Sequence, residues 1–362
     1  MAQGIEAYSY EGICALMKEW GQPRFRAKQL MQWLYQKGVD SYDDMSNLPA
    51  ALKERLENEA PLHRAEVVDK RVSTDGTRKY IVRFSDGAAA EMVAIPSQDR
   101  LTVCFSTQVG CAMGCIFCAT GKEGFTRNLL PGEMVDQVLI AQKDMGMRVT
   151  NLVGMGQGEP FLNYDNVMAA MRLVNSPDGL NIGARKITLS TCGILSGIRK
   201  FAHEPEQFTM AISLHSAVQK TRDVLMPSMV HQSLTDLKQD IRAYQEESGR
   251  RVTYEYVMID GLNDDDEHLG ALIDFCRGTM CHVNLIPINE IEGSVLQPSS
   301  EKTVNRFVSE LEKRGIEATL RNSRGSDIAG ACGQLKNMRR QEGPPRAPRM
   351  RGLLRARKKP PD

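Results

Sequence analysis

Hydrophobic residues recur at helical spacing through the first sixty positions of the chain. In the segment YEGICALMKEWG the pattern ends at Gly21, and in RFRAKQLMQWLYQKG it ends at Gly38. The apolar face of the first segment consists of Ile13, Leu16, Met17 and Trp20. A third, shorter helix fits PAALKERLE. This spacing, with glycines at the ends, predicts a small α-helical module over residues 1–60.

The period then changes from helical to alternating. The runs AEVVDKR, RKYIVRFS and AAEMVAI are separated by the turn signals TDG and SDG. Short alternating runs between such turns are typical of antiparallel strands. We therefore expect a short antiparallel β connector over residues 61–100.

From residue 101 apolar strand candidates alternate with amphipathic helices. The strand candidates are LTVCFS, TNLVGMG, KITLST, FTMAISLH, VTYEYVM and HVNLIPI. Four helices are predicted in this region. The first covers residues 133–145, the second runs from an N-cap at Ser233 to Gly249, the third starts at Asn263, and the fourth covers residues 301–314 after an N-cap at Ser300. Such alternation predicts an α/β fold with a parallel sheet. A partial (βα)6 barrel and an open doubly wound sheet both satisfy the pattern, and either places function at the carboxyl ends of the strands.

Composition places the chain among soluble proteins. Of its 362 residues, 41% are hydrophobic and 25% charged, and no run of eighteen apolar residues is present. The amino terminus, MAQGIEAYSYEG, lacks the basic and apolar segments of a signal peptide. We expect a cytoplasmic protein without a membrane segment. Its nine cysteines then favour metal or redox chemistry over a disulfide framework.

Positive charge is concentrated at the carboxyl end. Residues 339–362 contain nine Lys and Arg but only two acidic residues, whereas the whole chain has a net charge of +1. This proline-rich segment has no helical period and is predicted to be disordered. Basic tails often contact nucleic-acid phosphates, and a solvated tail without a fixed partner is the alternative.

Three cysteines within eight residues carry the strongest chemical signal. Cys111, Cys115 and Cys118 have the spacing C-x3-C-x2-C, with Gly110 and Gly114 allowing a tight turn. The other six cysteines stand singly, except for the loose pair Cys276/Cys281. A structural zinc site needs four protein ligands. Three thiolates fit three irons of a [4Fe–4S] cluster, whose fourth iron stays open for a substrate or cofactor.

The cysteine spacing resembles the signature of radical S-adenosylmethionine (SAM) enzymes. The wider resemblance is to the RlmN/Cfr group, which methylates an adenine of 23S ribosomal RNA. It is carried by QVGCAMGCIFCATGKEGFTRNL, GQGEPFLNYDNV, LSTCG, ISLHSA, RVTYEYVMIDGLND, NLIPIN and RGSDIAGACGQL. The resemblance covers nearly everything except the tail. It implies a partial TIM-like radical SAM barrel over residues 101–338, behind the helical module and the connector.

The resemblance also implies a set of SAM-binding residues. It matches Gly158 and Glu159 to contacts with the SAM amino group, and a carboxylate suits that ammonium. The remaining matched positions, which would bind the SAM carboxylate and ribose, are Ser190, Ser213, Leu214, His215 and Asn289. The residue before Gly158 is Gln157, where the family commonly has Met, and we expect little effect.

Three further positions match catalytic residues of the family. The resemblance makes Cys332 the methyl acceptor, Cys104 its redox partner and Glu91 the proton acceptor. It implies that one SAM methylates Cys332 and that a second yields a 5′-deoxyadenosyl radical, which activates this methyl group. The activated carbon adds to adenine, Glu91 removes the ring proton, and a Cys104–Cys332 disulfide remains. Ordinary methyl transfer fails at such an unreactive ring carbon, so the cofactors carry the hard chemistry.

Several alternatives stay open. The shared motifs do not separate methylation at C2 from methylation at C8 of the adenine; the helical module and RGSDIAGACGQL favour C2. A non-catalytic RNA-binding or iron–sulfur scaffold protein, and a radical SAM enzyme acting on a protein, are further alternatives.

The expected partners are 23S rRNA, transfer RNA in some family members, and an electron donor such as flavodoxin or ferredoxin. A monomer is expected by analogy.

Overall fold

The computed structural model describes residues 3–291 and 293–335. The basic tail predicted over residues 339–362 lies outside the described residues. The helices are α1 (Tyr10–Glu19), α2 (Phe25–Met31), α3 (Ala50–Glu59), α4 (Ala119–Glu123), α5 (Pro131–Met145), α6 (Tyr164–Asn175), α7 (Leu195–Ala202), α8 (Gln219–Leu225), α9 (Leu234–Ser248), α10 (Asp266–Cys276) and α11 (Glu301–Glu312). None of them is long and apolar enough to cross a membrane.

The strands form one large sheet and one small hairpin. They are β1 (Glu66–Val72), β2 (Arg78–Arg83), β3 (Ala89–Ser97), β4 (Arg100–Cys104), β5 (Gln108–Gly110), β6 (Phe125–Asn128), β7 (Asn151–Gly154), β8 (Ile187–Thr191), β9 (Thr209–Ser213), β10 (Val252–Met258), β11 (Cys281–Pro287) and β12 (Glu317–Leu320). The large sheet has the order β1-β2-β3-β4-β7-β8-β9-β10-β11-β12, and β5 pairs with β6.

The first three helices form at the positions that periodicity predicts. The hydroxyl of Ser9 accepts a hydrogen bond from the backbone N–H of Gly12 at 3.1 Å and so caps α1. Helix α2 continues as a π-helical turn over Gln32–Lys37 and ends at Gly38, which has a left-handed conformation. The buried faces of these helices join the same hydrophobic core as the sheet.

The sheet changes character at β4. Strands β1 to β4 pair antiparallel, so the predicted connector strands extend the main sheet. From β4 onward, β7, β8, β9, β10, β11 and β12 are all parallel. Helices α5, α6, α7, α9, α10 and α11 lie between successive parallel strands. In the described residues β4 and β12 do not pair, so the barrel is open. The prediction of a partial six-unit barrel is confirmed.

One helix start differs from the prediction. Helix α10 is capped by Asp265, whose carboxylate accepts from the backbone N–H of His268 at 2.9 Å, and the predicted helix start at Asn263 is wrong. The Asn263 side chain is buried and bonds the backbone of Ile259, His215 and Val257 at 2.6–2.9 Å. It therefore ties together the loops after β9 and β10.

A buried ion pair joins the helical module to the barrel. Arg64 donates to the carboxylate of Asp136 on α5 at 2.6 Å and to the carbonyl oxygens of Leu34 and Val39. The other carboxylate oxygen of Asp136 accepts from the backbone N–H of Ala65 at 2.9 Å. Burial raises the pKa of Asp136, and the guanidinium opposes that shift. Arg64 thus supplies the charge that lets this carboxylate stay buried.

Substituting Arg64→Ala should lower the free energy of unfolding by about 3–5 kcal/mol, because it leaves Asp136 buried without its cation. Chemical denaturation followed by circular dichroism measures the change. Lys143→Met is the matched control, since Lys143 pairs with Asp40 in an exposed ion pair across the same junction. The control should cost about 1 kcal/mol or less. Equal losses in both variants would contradict the assignment.

Candidate active site

The three clustered cysteines lie on a loop that follows the β4 end of the barrel. We call residues 111–118 the cysteine loop; the β5–β6 hairpin and α4 flank it. Gly110 has φ +73°, and a Cβ there would lie 1.9 Å from the carbonyl oxygen of Gly124, so only glycine fits. The backbone N–H of Cys111 donates to that same oxygen at 2.9 Å. The hairpin thus fixes the start of the loop.

The loop faces a cavity at the carboxyl ends of the parallel strands. This first cavity has a volume of about 950 Å³, which includes the open space at its mouth. Cys111, Cys115 and Cys118 all line it. Its other walls come from the strand ends of β7, β8, β9, β10 and β11 and from the loop after β12. Strands that are distant in sequence therefore converge on the cysteines.

Six of the seven expected SAM-binding residues line this first cavity. They are Gly158, Glu159, Ser190, Ser213, His215 and Asn289. The exception is Leu214, whose side chain is fully buried in the hydrophobic core. The hydroxyls of Ser190 and Ser213 lie 3.3 Å apart on neighbouring strands. The lining of the cavity therefore includes carboxylate, hydroxyl, imidazole and amide groups.

Glu159 is held rigidly. One carboxylate oxygen accepts from the backbone N–H of Phe161 at 3.0 Å, and the other accepts from that of Cys192 at 2.7 Å. Burial raises the pKa of Glu159, and these hydrogen bonds oppose the shift. A carboxylate fixed in this way can bind an ammonium group without rearranging.

Gln157, the departure from the family pattern, is also buried. Its backbone oxygen accepts from the N–H groups of Thr107 and Gln108, at 2.8 and 3.2 Å. Its side-chain oxygen accepts from the backbone N–H of Glu91 at 3.4 Å. This residue thus connects the Gly-Glu-Pro loop to strand β3.

His215 is neutral in the folded protein. Burial, with a smaller contribution from Arg222, lowers the pKa of His215 to about 3. Its Nδ1 accepts from the backbone N–H of Val257 at 3.1 Å, which leaves Nε2 as the protonated nitrogen. The ring packs edge-on against Phe117 of the cysteine loop, with centroids 4.6 Å apart. His215 can therefore donate one hydrogen bond into the cavity without adding charge.

Cys332 lies between two cavities. A second cavity of about 940 Å³ adjoins the first, and Cys332, Cys118, Met155 and Arg321 line both. The amide of Asn289 donates to the carbonyl oxygen of Cys332 at 3.0 Å, which fixes its backbone. The side chain is exposed, unlike most cysteines of this chain.

Cys104, from strand β4, lines only the second cavity. Burial is the main cause of the raised pKa of the Cys104 thiol, which is about 12, and the nearby Cys332 thiol contributes to the increase. The structure thus brings Cys104 and Cys332 to the same cavity. All nine cysteines fall within the described residues and are free thiols in this structure.

Glu91 lies on the same face of the sheet as Cys104. Val93 pairs with Cys104 across β3 and β4, and Glu91 is two residues from Val93, so alternation places both side chains on one face. Glu91 is fully buried, and its carboxylate lies 3.2 Å from the ammonium of Lys79. It lines neither cavity. Lys79 also donates to the carbonyl oxygen of Ala329, on the loop that carries Cys332, at 3.2 Å.

The cysteine loop offers suitable donors for an iron–sulfur cluster. Burial raises the pKa of Cys111 to about 12 and also raises that of Cys118, whereas a hydrogen bond from the Cys192 thiol lowers that of Cys115. Metal binding must therefore displace protons from buried thiols. Three soft sulfur donors on one cavity wall fit such a cluster. In the described residues, no three His, Cys, Asp or Glu side chains are placed to hold one metal ion.

Sequence reasoning missed Glu255 and Arg321, which both line the first cavity. Arg321 Nη1 lies 3.7 Å from Glu255 and 3.5 Å from the sulfur of Met155. Asn284 donates to Glu255 at 3.0 Å. A charged residue in the middle of the apolar run VTYEYVM was the available signal for Glu255. Arg321 follows a short strand with polar neighbours, and the sequence there contained no comparable signal.

Comparison with known proteins identifies the fold and the helical module. The Radical SAM superfamily matches residues 105–273, and the ribosomal RNA large subunit methyltransferase N-terminal domain matches residues 6–62. The chain is 48% identical over 322 residues to a probable dual-specificity RNA methyltransferase RlmN of Synechococcus elongatus, covering 87% of this chain and 88% of the relative. The corresponding protein of Clostridium novyi is 44% identical, covering 88% of this chain and 95% of the relative.

The chain belongs to the RlmN family of radical SAM enzymes. A solved radical SAM methyltransferase from Sphaerobacter thermophilus superposes with a TM-score of 0.87 at 42% identity, covering 92% of this chain and 99% of that one. The RlmN-family chain is therefore an enzyme of the transferase class, and the resemblance inferred from its motifs is confirmed. Membership of the radical SAM superfamily implies a [4Fe–4S] cluster and SAM.

Substituting His215→Asn should reduce the acid sensitivity of the fold; asparagine tolerates the left-handed backbone at this position, where φ is +57°. Below pH 6.5 the unfolded chain protonates this ring, whereas the native ring stays neutral down to about pH 3. Stability therefore falls with pH across that window, by about 1.4 kcal/mol per unit. Between pH 6.5 and 5 the variant should lose about 2 kcal/mol less than the parent.

Urea denaturation at several pH values measures this difference, with His231→Asn at an exposed histidine as the control. Parallel pH dependences in the parent and His215→Asn would show that the ring is not buried as a neutral group.

Proposed function

We propose that this chain methylates C2 of an adenine in 23S rRNA, at the peptidyl transferase centre, through an S-methylcysteine at Cys332. A second proposed substrate is the adenine next to the anticodon of certain transfer RNAs. The observation that carries the proposal is the place of Cys332 in the wall between two cavities. One cavity holds the three clustered cysteines and the other holds Cys104, so one sulfur can face cofactor and substrate in turn.

The names of the relatives support an RNA substrate. The matched proteins of Synechococcus elongatus and Clostridium novyi are named as dual-specificity RNA methyltransferases. The match of residues 6–62 to an N-terminal domain of a ribosomal RNA methyltransferase supports rRNA as one substrate. We further propose a cytoplasmic monomer that takes electrons from a flavodoxin or ferredoxin.

We propose that Cys111, Cys115 and Cys118 hold the cluster. In the same scheme Glu159 binds the SAM ammonium, and Ser190, Ser213, His215 and Asn289 bind its carboxylate and ribose, with Gly158 and the backbone of Leu214 completing the contacts. When bound, the cluster and SAM supply the radical that activates a methyl group. Two SAM molecules serve each turnover, one for the methyl group and one for the radical.

The chain's own residues perform the remaining steps. Cys332 accepts a methyl group on its sulfur, and after activation that carbon bonds to C2 of the adenine. Glu91 takes the proton from C2 as the proton acceptor. Cys104 then attacks the sulfur of Cys332, so that an S–S bond forms and the bond from that sulfur to the transferred carbon breaks. The released carbon takes up a proton to become the methyl group, the one unpaired electron left by the radical would return to the oxidised cluster, and the disulfide remains for reduction. The shared lining of the second cavity supports this pairing of the two cysteines.

Methylation at C8 is the second candidate. The N-terminal match and the segment RGSDIAGACGQL favour C2. Nucleoside mass spectrometry of 23S rRNA from cells with and without the protein, run against 2-methyladenosine and 8-methyladenosine standards, decides between them. We expect the 2-methyl product only; an 8-methyl product would assign the chain to the alternative.

Cys332→Ala should abolish RNA methylation, because no other thiol of the chain lines both cavities except the proposed cluster ligand Cys118. Radioactive methyl transfer from SAM to RNA is the measurement. Cys276→Ala, at a buried cysteine that lines neither cavity, is the control and should keep activity. Residual product from Cys332→Ala would rule out the cysteine carrier.

Cys104→Ala should permit carbon–carbon bond formation but block release, because no thiol remains to attack Cys332. A covalent protein–RNA adduct should accumulate and migrate above the free protein on a denaturing gel. Normal turnover by this variant would refute the role of Cys104.

A further inference from the structure

A cation is buried beneath the loop that carries Cys332. We call residues 325–335 the carrier loop. Lys79, on β2, is 2% exposed, and its side chain lies on the face of the sheet that the carrier loop covers. A buried lysine is costly unless it is paired and hydrogen-bonded. Lys79 must therefore have hydrogen-bonding partners in the folded protein, and the identity of those partners indicates what Lys79 does.

Lys79 contacts two groups at once. Its ammonium lies 3.2 Å from a carboxylate oxygen of Glu91 and donates at 3.2 Å to the carbonyl oxygen of Ala329. Glu91 is completely buried. Ala329 belongs to the carrier loop and has a left-handed backbone with φ +53°, which is uncommon for a residue other than glycine. One side chain thus joins the proposed proton acceptor to the loop of the methyl carrier.

We propose that Lys79 is a positioning residue that keeps Glu91 a carboxylate and fixes the carrier loop above it. The inference rests on the proposed function, because it needs Glu91 to accept the adenine proton. An ammonium at this distance favours the charged form of a buried carboxylate, which is the form that can accept a proton. When the proton moves, the C2–H bond breaks and an O–H bond forms on Glu91; Lys79 takes no part in the transfer itself.

Other contacts dock the carrier loop without touching Glu91. The hydroxyl of Ser73 donates to Asp327 at 2.6 Å, and the backbone N–H of Gly325 donates to Asp75 at 3.2 Å. The turn between β1 and β2 therefore supports one end of the loop, and Lys79 supports its middle. Ser73→Ala can then loosen the loop while leaving the pair of Lys79 and Glu91 in place, which separates the two parts of the proposed role.

The chemical test uses the adduct that Cys104→Ala is expected to trap. With RNA carrying deuterium at C2 of the target adenine, the parent Cys104→Ala adduct should lose the deuterium, because Glu91 has removed it. Adding Lys79→Met should leave most of the deuterium in the adduct, and Glu91→Gln should do the same. Lys79→Arg, Arg78→Met and Ser73→Ala, each added to Cys104→Ala, should lose it as the parent does. Arg78 is the matched cation on the opposite face of β2, where it binds Asp144.

A second readout does not depend on catalysis. Amide hydrogen exchange of the carrier loop in full-length protein should increase at least several-fold in Lys79→Met and in Ser73→Ala, and stay unchanged in Arg78→Met. Lys79→Met leaves Glu91 without this cation and could therefore disturb folding. The double variant Lys79→Met/Glu91→Gln is the control for this effect. It should keep the circular dichroism spectrum of the parent and still show increased amide exchange in the carrier loop.

Two results would overturn the proposal: deuterium loss from the Lys79→Met adduct as complete as in the parent, or carrier-loop exchange unchanged by Lys79→Met. Two other results would show instead that the proposed function itself is wrong. If Glu91→Gln loses deuterium normally, Glu91 is not the proton acceptor and the role given to Lys79 falls with it. If Cys104→Ala forms no adduct, the carrier scheme is wrong, and the exchange data alone decide whether Lys79 docks the loop.

Discussion

Two hydrogen bonds between loops more than two hundred residues apart hold the site together. The backbone N–H of Ala119, directly after the cysteine loop, donates to the carbonyl oxygen of Gly333 at 2.7 Å. The hydroxyl of Thr120 donates to the carbonyl oxygen of Leu335 at 2.6 Å. These contacts place Cys332 beside the three clustered cysteines and create the wall that separates the two cavities. Together with the hydrogen bond from Asn289, they hold the backbone of Cys332 next to the cysteine loop.

The open barrel explains why this arrangement is possible. Five of the seven parallel strands, β7 to β11, present their carboxyl ends to the first cavity, as in other sheets built from strand–helix units. The strands stop short of closing a ring, so the space beside β4 and β12 is filled by the carrier loop and by antiparallel strands. The β1–β3 region thus lies beneath the carrier loop, where Lys79 contacts both Glu91 and Ala329.

Sequence patterns anticipated the helices and strands because their apolar periods are local properties. They also singled out Cys111, Cys115, Cys118 and the polar residues at the strand ends. The carboxyl ends of parallel strands lie at one edge of the sheet, so these residues were expected to lie near one another. They did not reveal that β1–β3 continue the main sheet, since strand register depends on tertiary pairing. The same limit hid the buried pairs of Lys79 and Arg321, because a charged residue in a strand looks like a solvent-facing one. Asn263 was misassigned because its amide satisfies three buried backbone groups and is unavailable to the helix.

The central claim is that Cys332 carries the methyl group between cofactor and RNA. The most direct measurement is peptide mass spectrometry of the anaerobically purified, cluster-containing enzyme after incubation with SAM bearing a deuterated methyl group. The account predicts that the labelled methyl appears on the sulfur of Cys332 before RNA is added and leaves it, less one deuterium, for the RNA product. A label found on another residue, or an enzyme that methylates RNA while Cys332 stays unmodified, would contradict it.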